Sequence, residues 1–425
     1  MRRDILHLKH GFRLIALFTC LSLFGGAHVP AQAGGGYDER VKALAARAEI
    51  QAAFAHVDGE RDAILNEWAA ITEINAPSGK EKERAAFIEK ILRRSKSLVV
   101  RYDAVGNLIA VRKGTGGASP VVVDAHLDTV FQPGLKIKVQ VRDGKIYAPG
   151  VGDDTRNVEA LLATIRALDH AGIRTRADLV FLFTVEEETT FGGVEAFINE
   201  NKGKIGHFIA LDGGYEGFTY GGIGINWYRH HFIGPGGHTR SPTPPYSATL
   251  PLARAITRIY ALPLPSNPPT NINIGMLGGS DVVNAKAADA WFTLDLRSTS
   301  NEVIAGLEKK VAAIVQEEAE REKLTLKTEL ISSTPAAQIP GHRESVLVKT
   351  AEAIHLAMGF EPYITLTGSN NANVALLAGI SAISTGAAPC ADSHALTEYC
   401  EIEPIYKGIK KILLLGVAMA ELDAK

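Results

Sequence analysis

The chain has 425 residues, 46% hydrophobic and 22% charged, which excludes wholesale disorder and leaves apolar material for two to three domains. A formal charge of −2 supplies no global basic field for nucleic acid, and three cysteines are too few for a disulfide scaffold.

Residues 1–33 read as a targeting segment. Arg2, Arg3, Lys9 and Arg13 make a basic start, Leu14 to Phe24 is an apolar run too short to span a bilayer comfortably, and Ala31-Gln32-Ala33 is an A-x-A cleavage site. A secretory signal peptide is predicted, and with it export to the periplasm or beyond. No second long apolar run follows, so no membrane contact is expected after cleavage. Cleavage removes four basic residues and Asp4, a net +3, so −2 becomes −5. The mature chain keeps Cys390 and Cys400. Their spacing admits a disulfide in an oxidising compartment, and equally two separate buried thiols.

Residues 34–57 are alanine-rich and predict a helix. Ser78-Gly79-Lys80-Glu81 has the pattern of a capping box opening a helix over Lys80–Arg93. Leu98–Tyr102 and Leu108–Val111 read as strands around a Gly106-Asn107 turn, and Val121–Val123 as a short apolar strand. Asn157–His170 places Val158, Leu161, Leu162, Ile165 and Leu168 on one helical face. Leu179–Val185 is the continuous apolar run of a strand buried on both faces, and Phe208–Leu211 is another strand. Strands alternating with helices predict an α/β domain with a mostly parallel sheet. Near residue 220 the texture changes. A helix near 248–260, strand-like runs at Asn271–Leu277 and Ala290–Arg297, a helix over 301–321 and a strand near 324–331 predict a small βαββαβ-like α+β unit. The α/β pattern resumes from about 340. The expected organisation is a signal peptide at 1–33, a catalytic domain in two parts (34–218 and 336–425), and an inserted lid or dimerisation domain at 219–335.

Acidic and histidine residues recur at the ends of apolar strands, where open α/β sheets bind ligands. They are His126 and Asp128, Asp153 beside Asp154, the run Glu186-Glu187-Glu188, Asp212, and His394. Each has an ordinary explanation when taken alone: a surface loop, a helix cap, an exposed turn, a structural histidine. Together they place one or two ligand types at each of five positions on one face of one sheet. His and carboxylate ligands suit zinc, cobalt or manganese, and a carboxylate can bridge two ions in a hydrolytic site.

These residues resemble the co-catalytic zinc family of peptidase T, carboxypeptidase G and aminoacylase, along nearly the whole mature chain. The matching segments are HLDTV (126–130), GDD (152–154), FTVEEE (183–188), LDGG (211–214), GGHTRSP (236–242), LDLRS (294–298), GSNNANV (368–374) and HALTEY (394–399). The resemblance implies two Zn2+, or Co2+ or Mn2+ in their place. His126 and Asp212 would hold one ion, Glu188 and His394 the other, with Asp153 bridging. Glu187 would be the general base and Asp128 the residue orienting His126. His238 would stabilise the oxyanion, in this family often in the partner subunit's site, and Asn284 and Arg297 would hold the substrate. A homodimer through the inserted domain is implied as well.

The chain departs from the family at several places. Thr155 stands where Lys is frequent, Asn157 where Gly is, Asn370-Asn371 where Thr-Asp is, and Ala287 where Pro is. Losing a carboxylate at Asn371 is expected to change either pocket charge or the support behind the ligands. The expected activity is hydrolysis of an amide bond near the end of a small substrate. A peptidase T-like aminopeptidase is favoured because FTVEEE and LDGG look closest to that branch. The alternatives are a metallocarboxypeptidase or N-acyl amino acid deacylase anchoring a carboxylate on Arg297, and a non-catalytic small-molecule binding protein. A nucleotide site is not expected, because no G-x-G-x-x-G joins a strand to a helix.

Overall fold

The computed structural model describes residues 36–242 and 247–423. The expected signal peptide lies outside the described residues. The central sheet has eight strands in the order 98–102, 108–112, 179–184, 121–126, 207–210, 381–384, 218–219 and 364–365. The four strands from 179–184 to 381–384 in that order run parallel. LVFLFT and VVVDAH are buried at every position because helices cover both faces. On one face Val121, Val123 and Phe181 pack with Leu161, Ile165, Ile409 and Leu413. On the other, Val122, Val180 and Leu182 pack with Val194, Phe197 and Leu376. Neighbours along each strand thus serve opposite layers, and each fully buried side chain of this size contributes about 1.5–3 kcal/mol.

Residues 224–334 carry a second, antiparallel sheet in the order 270–273, 289–298, 224–233, 325–334, with 277–279 also pairing to 289–298. Helices Thr249–Tyr260 and Asn301–Arg321 complete the strand–helix–strand–strand–helix–strand order. They enclose a separate core around Phe232, Phe292, Leu294, Leu296, Val311 and Val315. The architecture is α/β with a mostly parallel sheet and an inserted α+β unit.

Three local expectations are corrected, and one small sheet was not expected. The helix over 34–57 is two helices, Tyr37–Ala45 and Ala48–Gly59, broken at the extended residue Arg47, and a third, Arg61–Thr72, follows. The capping box does not form, and the helix begins at Lys82. Ser78 Oγ instead donates to Asp128 Oδ2 at 2.6 Å, while Glu81 accepts the N–H groups of Gly79 and Glu186. A buried carboxylate is the stronger acceptor. The run 271–277 splits into Thr270–Asn273 and Leu277–Gly279. A small antiparallel sheet of 390–391, 399–401, 145–147 and 140–142 carries no periodicity long enough to be read from sequence.

Candidate metal centre

Three adjacent parallel strands end on the same edge of the sheet and set out the first candidate ligands. His126 is the last residue of 121–126, Glu187 and Glu188 follow 179–184, and Asp212 follows 207–210. Asp153 enters from the turn Val151–Thr155 that runs into helix Arg156–His170. His394 enters from the loop between strands 390–391 and 399–401.

Asp153 lies between the two histidines. Its Oδ1 is 3.0 Å from His126 Nε2 and its Oδ2 is 3.1 Å from His394 Nε2. His394 Nε2 is also 3.1 Å from Glu188 Oε2. His126, Asp153, Asp154 and Asp212 form one group able to hold a cation, and Asp153, Glu188 and His394 a second. Asp153 is the member common to both. Burial would raise its carboxyl, but hydrogen bonds with His126 and His394 hold it well below the usual range. Burial pushes Asp212 up to about 6, and Glu188 up to about 7. Glu187 is pushed well up by burial and by the neighbouring Asp212. Glu188 Oε1 is buried with no hydrogen-bond partner among the described residues. Crowded carboxylates, two imidazoles and an orphaned oxygen are a donor set that suits divalent cations.

The supports are equally specific. Asp128 Oδ1 lies 3.3 Å from His126 Nδ1, and its carboxylate accepts the N–H groups of Glu187 and Glu188. One side chain therefore orients the His126 ring and the segment carrying Glu187 and Glu188. Each Asp154 oxygen already accepts a hydrogen bond, from His126 N–H and from Asn157 Nδ2.

Several supports had not been assigned from the sequence. Glu398 is buried and accepts three backbone N–H groups, of Gly150 at 2.6 Å and of Gly152 and Asp153 at 2.8 Å each. Its place four residues after His394 was the available signal. Arg84 is fully buried and donates to the carbonyls of Leu127 and Ile74. Trp68 Nε1 donates to Val151 O at 2.9 Å. Lys411 is buried and donates to Tyr215 O, Thr385 Oγ1 and Gly386 O, behind the Asp212 loop. No local pattern announces these, since an Arg or Lys on an amphipathic helix reads as solvent-facing.

The three residues expected to contact substrate lie in the inserted unit. His238 pairs with Ala285 across a two-stranded ribbon, and Asn284 O accepts Thr239 N–H, so His238 and Asn284 are neighbours. Arg297 Nε is held by Asp295 at 3.0 Å. Among the described residues, no hydrogen bond or ion pair joins these three to the ligand cluster.

The pattern of the M20/M25/M40 peptidase family matches residues 122–415. The chain belongs to that family. Membership favours a hydrolase over a non-catalytic binding protein. Carboxypeptidase G2 of a Pseudomonas species is 26% identical over 192 residues, 42% of this chain and 46% of that protein. The chain spans less than half the length of the curated relatives it matches. Among solved structures, aminopeptidase PepT from Bacillus cereus is 22% identical with a TM-score of 0.73. A tripeptidase from Staphylococcus aureus is 22% identical with a TM-score of 0.74. Both alignments cover 84% of this chain and 98% of the other, and both concern the fold.

The departures from the M20 pattern have structural partners. Thr155 Oγ1 donates to Gly150 O, and Asn157 ties Asp154 to Ala387 N–H. Asn371 is buried and donates to Asp124 and Thr184, so it supports the sheet behind the ligands and does not line a pocket. A carboxylate there would face Asp124 at hydrogen-bond distance, and the amide removes that repulsion.

Proposed function

We propose that this M20 hydrolase is an exported di-zinc exopeptidase that removes the N-terminal residue from small peptides. The observation that carries the reading is Asp153, with one oxygen on each of two histidines, beside the buried Glu187. His126 and Asp212 would hold one ion and His394 and Glu188 the other, with Asp153 shared; Co2+ or Mn2+ would fit the same donors. Bound ions would polarise the scissile carbonyl and bring water towards neutral pKa.

Glu187 takes the proton from the attacking water and returns it to the leaving amine. Its burial and the Asp212 charge raise its proton affinity, which suits that exchange. Asp128 keeps His126 in the orientation that presents Nε2, and holds the Glu187 backbone in place. His238 donates to the developing oxyanion. A homodimer through the inserted unit would let His238 serve the partner subunit's site. The strand 325–334, at the edge of the inserted sheet with Leu330 and Ile331 exposed, supports that assembly. The Cys390–Cys400 disulfide supports export, because such bonds persist in oxidising compartments. No helix among the described residues is long and apolar enough to cross a membrane.

One observation favours a second reading, carboxypeptidase or N-acyl amino acid deacylase. Arg297 is held through Nε, with no protein partner for its terminal nitrogens among the described residues, as a carboxylate anchor requires. The test is amine release from dipeptides, tripeptides, N-blocked peptides and N-acyl amino acids, with zinc, cobalt or manganese and a chelator control. Chelator-sensitive release from free-N-terminal peptides alone supports the aminopeptidase. Release from blocked or acylated substrates moves the assignment to the second reading.

A further inference from the structure

Cys390 and Cys400 stand opposite each other in the antiparallel pair 390–391/399–401 and form a disulfide. The bond closes a loop that contains both His394 and Glu398. These two residues act on the same centre from different directions. His394 meets Asp153 and Glu188 directly, whereas Glu398 grips the backbone of Gly150, Gly152 and Asp153.

The disulfide also touches the Asp153 turn itself. A Cβ at Gly152 would lie 2.8 Å from Cys390 Cβ, 3.0 Å from Cys390 Sγ and 2.8 Å from Glu398 Oε1. Only glycine permits that approach. The loop, its bridge and the Asp153 turn are therefore one packed unit.

The two ligand histidines are held in different ways. His126 ends a buried strand and is 1% exposed, so surrounding packing fixes it. The His394 side chain is 51% exposed, so little packs around it. Its backbone and that of Asp392 occupy the left-handed region, at φ of +67° and +60°, which non-glycine residues hold only when their surroundings impose it. Within the loop, Ala395 N–H bonds to Asp392 O and Thr397 Oγ1 to Asp392 Oδ2. The covalent closure adds to the strand pairing a second tie between the start of this short turn and the buried Cys400.

We propose that the Cys390–Cys400 disulfide is a positioning element of the metal centre: it presets His394 and the Asp153 turn, so the ion shared by His394, Glu188 and Asp153 is retained far longer while the bond is intact. This rests on the metal-centre reading. The ion on the His126–Asp212 side, with two of its ligands on strand ends and only the shared Asp153 on the turn, depends on it less.

The experiment follows zinc release from the Zn2+-loaded mature protein into excess colorimetric chelator. It compares the oxidised protein, the protein reduced with a phosphine, and the Cys390→Ser/Cys400→Ser variant. In the reduction the S–S bond takes two electrons and two protons to give two thiols, and the phosphine becomes its oxide with oxygen from water. Alkylation and mass measurement count the thiols, and circular dichroism verifies the fold. One ion per chain is expected to leave at least about tenfold faster from the reduced protein and the variant, the scale for losing a ligand's orienting partner, while the other is accelerated less. The phosphine should not alter release from the variant. Should the variant fail to fold, the reduced wild type supplies the same reading. Equal rates after verified reduction, or equal acceleration of both ions, overturns the proposal and leaves the metal centre standing. An oxidised protein that takes up no zinc overturns both.

Discussion

Asp128 accepts the backbone N–H of Glu187 at 3.0 Å, through the carboxylate oxygen that also faces His126 Nδ1. Orientation of His126 and placement of Glu187 are thereby one property of one side chain. Burial would raise Asp128, but hydrogen bonds from His126, Ser78 and the Glu188 amide bring it below the usual carboxylate range, so it remains an acceptor. Asp128→Asn keeps the volume and replaces one acceptor oxygen with a donor. Metal affinity is expected to fall about 10–100-fold, with kcat falling as well. Isothermal titration with Zn2+ checks this, and unchanged affinity would remove Asp128 from the centre.

Glu187→Gln separates the base from the ligands. The amide cannot take a proton, yet it fills the same space. Turnover should drop by about 10²–10⁴-fold while bound metal per chain stays constant. Retained kcat, measured by amine release beside metal analysis, would assign the base elsewhere.

Glu398→Gln tests the grip on the Asp153 turn. A glutamine offers one acceptor oxygen where the carboxylate offers two, so at least one of the Gly150, Gly152 and Asp153 N–H groups loses its partner. Each buried donor left unpaired costs about 1–3 kcal/mol. Urea denaturation of the metal-free protein reads that loss, and an unchanged midpoint would contradict the hydrogen-bond assignment.

Chelation should abolish activity and lower the melting temperature together, since the ions bind the folded state. At a free metal concentration of 100 times Kd the stabilisation is about 2.7 kcal/mol per site. Adding back zinc, cobalt or manganese should restore both. Activity that survives complete metal removal, verified by elemental analysis, would exclude metal-assisted hydrolysis.

Two histidines away from the ligands set an acid limit on stability. Burial pushes His230 down to about 4, and burial together with the Lys411 charge pushes His355 down to about 3. Unfolded imidazoles protonate near the ordinary value of about 6.5. Below that pH the unfolded chain binds more protons than the folded one. Their contribution is therefore fully present above about 6.5 and is lost as pH falls towards 4 and then 3. Each costs about 1.4 kcal/mol per pH unit inside its window. In His230→Gln the slope of stability against pH between 6 and 4.5 should fall by about one proton, measured by denaturant titration; an identical slope refutes the assignment.

The sequence by itself determined the main strands of the central sheet, its mostly parallel direction and the candidate ligands. LVFLFT and the start of VVVDAH are apolar enough to specify burial on both faces, and a parallel sheet then delivers His126, Glu187, Glu188 and Asp212 to one edge. Each of those signals is local: a hydrophobic run followed within a few residues by a ligand. Tertiary structure alone decided what holds them. Glu398 lies 245 to 248 residues from the turn it grips, and Asn371 lies 247 from Asp124. Ser78 left its helix cap for Asp128 because a carboxylate 50 residues away was buried beside it. The pairing of Cys390 with Cys400 was open in the sequence, and was decided by the antiparallel register that places the two residues opposite each other. Hydrophobic periodicity is written along the chain, whereas the partner of a lone polar group depends on which distant segment folds over it and excludes water.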